Sequence, residues 1–357
     1  QVNPFTAFAD TNFAADRLLM SEETRLSDRY VASEQIAAGY AMADIPFAIG
    51  ATKIRFIGGA RVEQSLQELS SFDAQDQPVN PTVDVTDVLP SINFVISPTD
   101  DMNIRLGASQ TLARPSLREF APFSFYNFQI QAVTTGNPNL TRALIQNYDV
   151  RWELFPNAGE VVSVSAFYKS FTNAIEETIL PSTSELIYSF QNANGNAQNY
   201  GVELEVRKQL GFIASFLTPF TISLNAAVIN SHIEVNQGGV VDERTMWGQS
   251  PYTVNLGLFY TNFSSGSTIN LGYNTYGRRI IKVGQRGAYQ FDDPHVYEMP
   301  RHVVDLSLTQ TIGAGLEMKF AVRDLLNQPL YWEQGGVNIQ SNIRGRTYTF
   351  GIGYRIQ

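Results

Sequence analysis

Strict alternation of side-chain character recurs along nearly the whole of this chain and leaves it few ways to fold. In the last segment Tyr348, Phe350, Ile352, Tyr354 and Ile356 fall on one face of an extended strand, and Thr347, Thr349, Gly351, Gly353 and Arg355 on the other. The segment before it sets Leu316, Met318, Phe320 and Val322 against Glu317, Lys319, Ala321 and Arg323. A slip of one residue would carry those charges to the apolar side, so the register is strongly specified. The same two faces recur at Tyr148, Val150, Trp152 and Leu154 against Asn147, Asp149, Arg151 and Glu153, and at Val202, Leu204 and Val206 against Glu203, Glu205 and Arg207. Ile54, Phe56 and Val62 oppose Lys53, Arg55, Arg61 and Glu63, with Gly58 and Ala60 interrupting the apolar row.

This pattern predicts 13 strands, at 33–47, 53–70, 87–98, 102–113, 146–155, 160–176, 196–208, 218–234, 249–263, 267–282, 299–311, 315–331 and 343–356. Brief turns such as Ile49-Gly50-Ala51-Thr52 and Pro98-Thr99-Asp100-Asp101 alternate with long connections such as 71–86, 114–145, 177–195 and 283–298. Outer-membrane barrels make that distinction, with short periplasmic turns and longer extracellular loops between antiparallel strands. The last strand then runs downward, and the carboxyl terminus is expected in the periplasm. A soluble sandwich or propeller also alternates. Here, however, many polar faces carry Ser, Thr, Asn and Gly rather than the charge of a solvated surface, which suits a lumen, and no blade period recurs. Tyr40, Phe47, Tyr252, Tyr260, Tyr297 and Tyr354 are expected near strand ends, where interfacial girdles belong. The fold class predicted is therefore all-β, an antiparallel transmembrane β-barrel.

Composition agrees. Charged residues are 17% and aromatics 12%, yet no apolar run reaches the length of a membrane helix, so a spanning element must be a strand. With no cysteine, disulfide scaffolds, thiolate metal sites and cysteine nucleophiles are excluded. His232, His295 and His302 lack metal-site spacing and are expected to be ordinary surface or loop residues. A net charge of −9 argues against nucleic acid as a partner. The chain begins at Gln1 without a basic and apolar leader, so processing or truncation is expected to have removed its beginning.

Several stretches resemble the TonB-dependent receptors, the active transporters of the outer membrane. They include Leu89-Pro90-Ser91-Ile92-Asn93, Ser109-Gln110-Thr111-Leu112-Ala113-Arg114-Pro115 with Arg118-Glu119, and Gly136-Asn137-Pro138-Asn139-Leu140 ahead of Asn147-Tyr148-Asp149. Phe167-Tyr168-Lys169, Asn199-Tyr200-Gly201-Val202-Glu203, Gly248-Gln249-Ser250-Pro251-Tyr252, Arg323-Asp324-Leu325-Leu326-Asn327 and Gly345-Arg346-Thr347-Tyr348 follow in order. The ending Ile356-Gln357 departs from the aromatic terminus common in such barrels. The resemblance implies a whole protein of about 22 strands with a plugged lumen. It also implies a plug ahead of the barrel and a segment that engages the TonB energy-transducing complex. Residues 1–357 are accordingly expected to be the carboxyl-terminal portion of the barrel, with the plug and earlier strands absent and a gap or a nonnative closure in the wall.

The resemblance further implies import of a scarce nutrient, such as a metal chelate or an oligosaccharide, by a protein of the Gram-negative outer membrane in contact with its lipid. No enzyme activity and no cofactor are expected. A passive porin-like channel is the alternative, and would have an open lumen without a plug; a barrel enzyme would need a convergent catalytic group at the rim, which no spacing here identifies. Loops should carry specificity. Phe123, Phe125, Tyr126 and Phe128 fall in one long connection and could stack on a sugar or chelate, although folding the loop back on its neighbours is the preferred reading. Trp247 is a further candidate, preceded by Asp242, Glu243 and Arg244, which read as a solvated loop. Asp292-Asp293-Pro294-His295 reads as an exposed acidic turn before a cation site.

Overall fold

The structure, a computed structural model, describes residues 6, 8–13, 18–19 and 25–354, apart from 74–75, 129, 181, 183–184, 238, 286–292 and 314. Gln1, Asp292 and the Ile356-Gln357 ending therefore lie outside the described residues.

Thirteen strands form one antiparallel wall in sequence order. They are β1 Tyr30–Ile49, β2 Thr52–Phe72, β3 Thr82–Thr99, β4 Met102–Ala113, β5 Ala143–Leu154, β6 Val161–Thr172, β7 Ala197–Gln209, β8 Phe220–Gln237, β9 Tyr252–Asn262, β10 Ser267–Tyr276, β11 Val303–Ile312, β12 Leu316–Arg323 and β13 Thr347–Tyr354. Every predicted wall strand is present. Three were drawn too long, because the chain breaks at the residues that follow β6, β10 and β12 and resumes as separate loop strands. Left-handed Asn173 (φ 57°) and Asp324 (φ 57°) make two of those breaks.

Among the described residues β1 and β13 do not pair, so the wall is open, as expected of a gap. No helix among them is long and apolar enough to cross a membrane, which says nothing of strands.

Register keeps the two faces apart. Ile54, Phe56 and Val62 of β2 stand opposite Ile96, Phe94 and Val88 of β3, and the Phe56 and Phe94 rings lie 5.1 Å apart. At one end of the wall Phe220 pairs with Tyr260 at 5.0 Å; toward the other, Tyr148, Tyr168 and Tyr200 form a single rung. Such pairs add to the ladder beyond their buried area. Two of the expected girdle residues are elsewhere. Tyr40 sits mid-strand opposite Arg61 on the polar face, and Tyr297 belongs to a loop strand, Val296–Glu298. Tyr40 lies in a strand whose many small residues blur the alternation that would otherwise give it a face.

On the polar face Arg105 and Arg151 stand directly opposite each other, a pairing that like charge would oppose. Glu153 reconciles them, accepting from Arg105 Nε and from Arg151 Nε at 2.8 Å each, while Arg151 reaches Glu205 at 2.6 Å.

Six connections lie at one end, none of them longer than 10 residues, and six lie at the other, most of them longer than 20. All three apolar cores gather at the long-connection end. One joins Leu69, Phe120, Ala121 and Leu140, a second Ala174, Ala193, Ala197, Ile233 and Val235, and a third Ala132, Ile179, Tyr188, Ile280 and Val283. Among the described residues the wall strands form one sheet. β1 and β2, at 20 and 21 residues, exceed the roughly 10 residues a tilted membrane strand needs, and their surplus carries the loop layer.

Candidate functional site

The long connections fold into structure of their own. Strands Ile175–Leu180, Ile187–Asn192, Ala132–Thr135 and Ser124–Asn127 make one small sheet in that order, and Arg279–Lys282, Val296–Glu298, Leu330–Gln334 and Val337–Asn342 make another. Sequence alone ran Arg279–Lys282 and the starts of Ile175–Leu180 and Leu330–Gln334 into wall strands and gave the other segments no strand. The connection after β4 starts with a one-turn helix, Leu117–Phe120, set by a capping box. Glu119 N–H donates to Ser116 Oγ at 3.3 Å and Ser116 N–H to the Glu119 carboxylate at 2.8 Å. It folds onto the polar face of the wall, where Gln67 Nε2 donates to Pro115 O at 3.2 Å, Arg114 pairs with Glu63 and Arg142 with Asp87. Gly136 lets the returning chain pass against Ala121; a Cβ there would lie 2.0 Å from the Ala121 carbonyl oxygen.

The five aromatic candidates divide into three roles. Phe123 and Phe125 are half-buried under the Arg118 guanidinium, which stands 4.6 and 4.0 Å from their ring centroids, and Phe123 also meets Tyr30 at 6.2 Å. These two hold the loop against its neighbours. Tyr126 and Phe128 make an edge-to-face pair at 5.0 Å, and Phe128, in the turn at the end of its strand, is 84% exposed. Trp247 is exposed on its ring but tied at both nitrogens: its backbone N–H donates to Glu176 at 3.2 Å and its indole N–H to Ile281 O at 2.9 Å.

Behind Trp247 lies a buried group of charges. Arg244 is 2% exposed at its side chain and donates to Glu176 at 2.8 Å, to Asp242 at 3.0 Å and to the Glu177 carbonyl at 3.2 Å. Glu177 in turn accepts from Lys282 Nζ at 2.7 Å and from Val283 N–H at 3.3 Å, and Lys282 stands 4.4 Å from the Tyr188 ring centroid. His295 accepts from Gly284 N–H at 2.9 Å, with its other ring nitrogen 3.6 Å from Asp242. Two sequence readings are corrected here. Asp242 and Arg244 are buried rather than solvated, because they pair with each other and Arg244 also reaches Glu176 across the layer, while Glu243 between them faces out. His295 is buried as well, although Asp293 is exposed as expected.

Burial pushes the carboxyls of Glu176 and Glu177 above the usual value of 4.5, and Arg244 and Lys282 draw them back only in part. A raised carboxyl binds its proton more tightly folded than unfolded. Its contribution to stability is complete below 4.5 and is lost as pH rises through the folded value. Amide protection in Ile175–Leu180 and Ile187–Asn192, corrected for intrinsic exchange, is therefore expected to fall as pH rises above the usual carboxylate value of 4.5. Protection that stays flat or rises would contradict this.

Residues 3–325 match the family model described as TonB dependent receptor-like, beta-barrel. No curated protein matches the chain. Among solved structures it is similar to the FrpB iron transporter from Neisseria meningitidis, at 14% identity and TM-score 0.61, covering 90% of this chain and 45% of that one. It is also similar to the siderophore receptor PiuA from Acinetobacter baumannii (11% identity, TM-score 0.65, 91% and 44% covered). A third is the ferric yersiniabactin uptake receptor FyuA from Yersinia pestis (16% identity, TM-score 0.59, 89% and 45% covered). The chain spans less than half the length of these three structures.

Proposed function

The chain belongs to the TonB-dependent receptor β-barrel family, and from that premise we propose that it supplies wall and extracellular loops for energy-coupled uptake of a scarce nutrient, a metal chelate or an oligosaccharide. The family places it in the outer membrane of Gram-negative bacteria. In this reading the apolar face meets lipid, the short-turn end and the carboxyl terminus are periplasmic, and the long connections face the outside. Lipid cannot satisfy a sheet edge, so further strands meet β1 and β13 to complete a barrel of about 22. A plug fills the polar lumen and engages the TonB complex.

The observation that carries the reading is the loop layer. Connections that merely joined strands of a passive pore would not need three apolar cores and a buried charge cluster; a surface that must hold a shape for a ligand does. Its exposed aromatic pair, Tyr126 and Phe128, is the proposed contact, with Trp247 beside the charge cluster as a second one.

The test is binding by the whole receptor to a panel of ferric siderophores and oligosaccharides. Tyr126→Ala and Phe128→Ala are each expected to cost about 2 kcal/mol, roughly thirty-fold in Kd, if they are anchors. Uptake of the bound class should stop when the inner membrane is de-energised. Permeation that continues unchanged would instead mark a passive channel.

A further inference from the structure

We infer that the connection between β7 and β8 is a membrane anchor, inserted at the boundary between headgroups and acyl chains of the periplasmic leaflet. The inference rests on the barrel reading above. Residues 210–219 carry no charged side chain. They form two single-turn helices, Leu210–Phe212 and Ser215–Leu217, that leave Phe212 68%, Ile213 62% and Phe216 76% exposed. Beside them, on the next short turn, Phe263 is 93% exposed. The two turns are tied together, since Thr261 N–H donates to Pro219 O at 2.9 Å. A turn standing in water is normally built from Gly, Pro, Asn, Asp and Ser, and four large apolar side chains left open to solvent on adjoining turns have no solvent-side rationale.

Continuity with the apolar face selects lipid as the occupant. Phe220 and Tyr260, the aromatic pair that closes the apolar face at this end, immediately follow one turn and precede the other. Lys208 shares a rung with Ile222 on that face, and its ammonium stands 5.5 Å from the Phe212 ring centroid. It is also paired with Glu160 at 2.6 Å, and the Glu160 carboxylate accepts from Gln209 N–H at 3.1 Å. The one cation at the base of the turn is thus matched and held at headgroup level, its stem lying along apolar surface. The β3–β4 turn, by contrast, carries Asp100 and Asp101 and has no such apolar set.

The chain has no cysteine, and with any cysteine elsewhere in the whole receptor replaced by serine, single nitroxide labels report cleanly. In the whole receptor in phospholipid vesicles, labels at Phe216→Cys, with Phe212→Cys as a second position, are compared with Leu258→Cys on the apolar face and Asp101→Cys in the charged turn. Relaxation by oxygen is expected to exceed relaxation by a water-soluble nickel chelate at 216 and 212, as at 258, with the order reversed at 101. A nickel-dominated signal at 216 and 212 would overturn the anchor, and so would shielding from both agents, which would mean a protein partner covers the turn. If 258 itself were nickel-dominated, the lipid-facing wall would fail first and the anchor with it.

Discussion

Replacing Arg244 with alanine is expected to open the loop layer while leaving the wall intact. The guanidinium bridges Glu176, Asp242 and the Glu177 carbonyl, and all three carboxylate-bearing residues are buried. Removing it strands two carboxylates away from water, a change that costs about 3–5 kcal/mol. Hydrogen exchange should quicken in Ile175–Leu180, Ile187–Asn192 and Val240–Arg244, and the emission of Trp247 should shift as the Glu176 contact to its backbone is lost. Strands β9 and β10, which touch none of these groups, should exchange as before. The defect should shrink at acid pH, where the stranded carboxylates take up protons. Arg244→Lys tests geometry against charge: a single ammonium cannot copy the three-way fork and should recover only part of the loss. Equal loop protection in the alanine variant and the parent would show that the cluster does not hold the layer together.

Phe120→Ala is the second large change. Phe120 is fully buried among Leu69, Ala121 and Leu140, at the end of the capped turn that seats the β4–β5 connection on the wall. Emptying that site costs about 3–5 kcal/mol in lost transfer energy and cavity. Proteolysis within 114–142 is expected to accelerate, and on the function proposed above binding is expected to weaken as well, because the Tyr126 and Phe128 pair is displayed by the segment that Phe120 anchors. Phe120→Leu, which refills most of the volume, should behave much closer to the parent. A protected loop in the alanine variant would mean that Arg114–Glu63 and Arg142–Asp87 suffice to seat it.

The wall was legible because one face of each strand needed a consistent apolar row, and that row is written locally, every second residue. Leu316 to Arg323 could be assigned to faces before any partner strand was known, and β12 pairs in that sense with β11 and β13. The loop layer was not legible for the opposite reason. Ile175-Glu176-Glu177-Thr178-Ile179-Leu180 sets two acids side by side, which reads as solvated, and only Arg244 and Lys282, 68 and 105 residues away, make it a buried strand. Among the aromatic candidates the sequence could not separate roles, since Phe123 and Phe125 differ from Tyr126 and Phe128 only in what lies over them. The apolar turn at 210–217 escaped notice entirely, because single-turn helices have no period to detect.

Neighbours in the wall are neighbours in the chain, whereas the ion pairs of Arg244 with Glu176 and of Lys282 with Glu177 span 68 and 105 residues. Hairpins with brief turns can therefore zip one after another at small entropic cost, each closing a short loop. The loop layer has hairpins of its own, but the ion pairs that join its elements have no such local route. Its ion pairs join elements from β6 to beyond β10 and can form only when the strands between them already stand in register. During assembly the wall must precede its own upper surface, and for that interval Glu176, Glu177, Asp242 and Arg244 remain in water. The loop layer is thus the last part of the chain to mature and the first to come undone, a separation between a durable wall and the less durable surface set upon it.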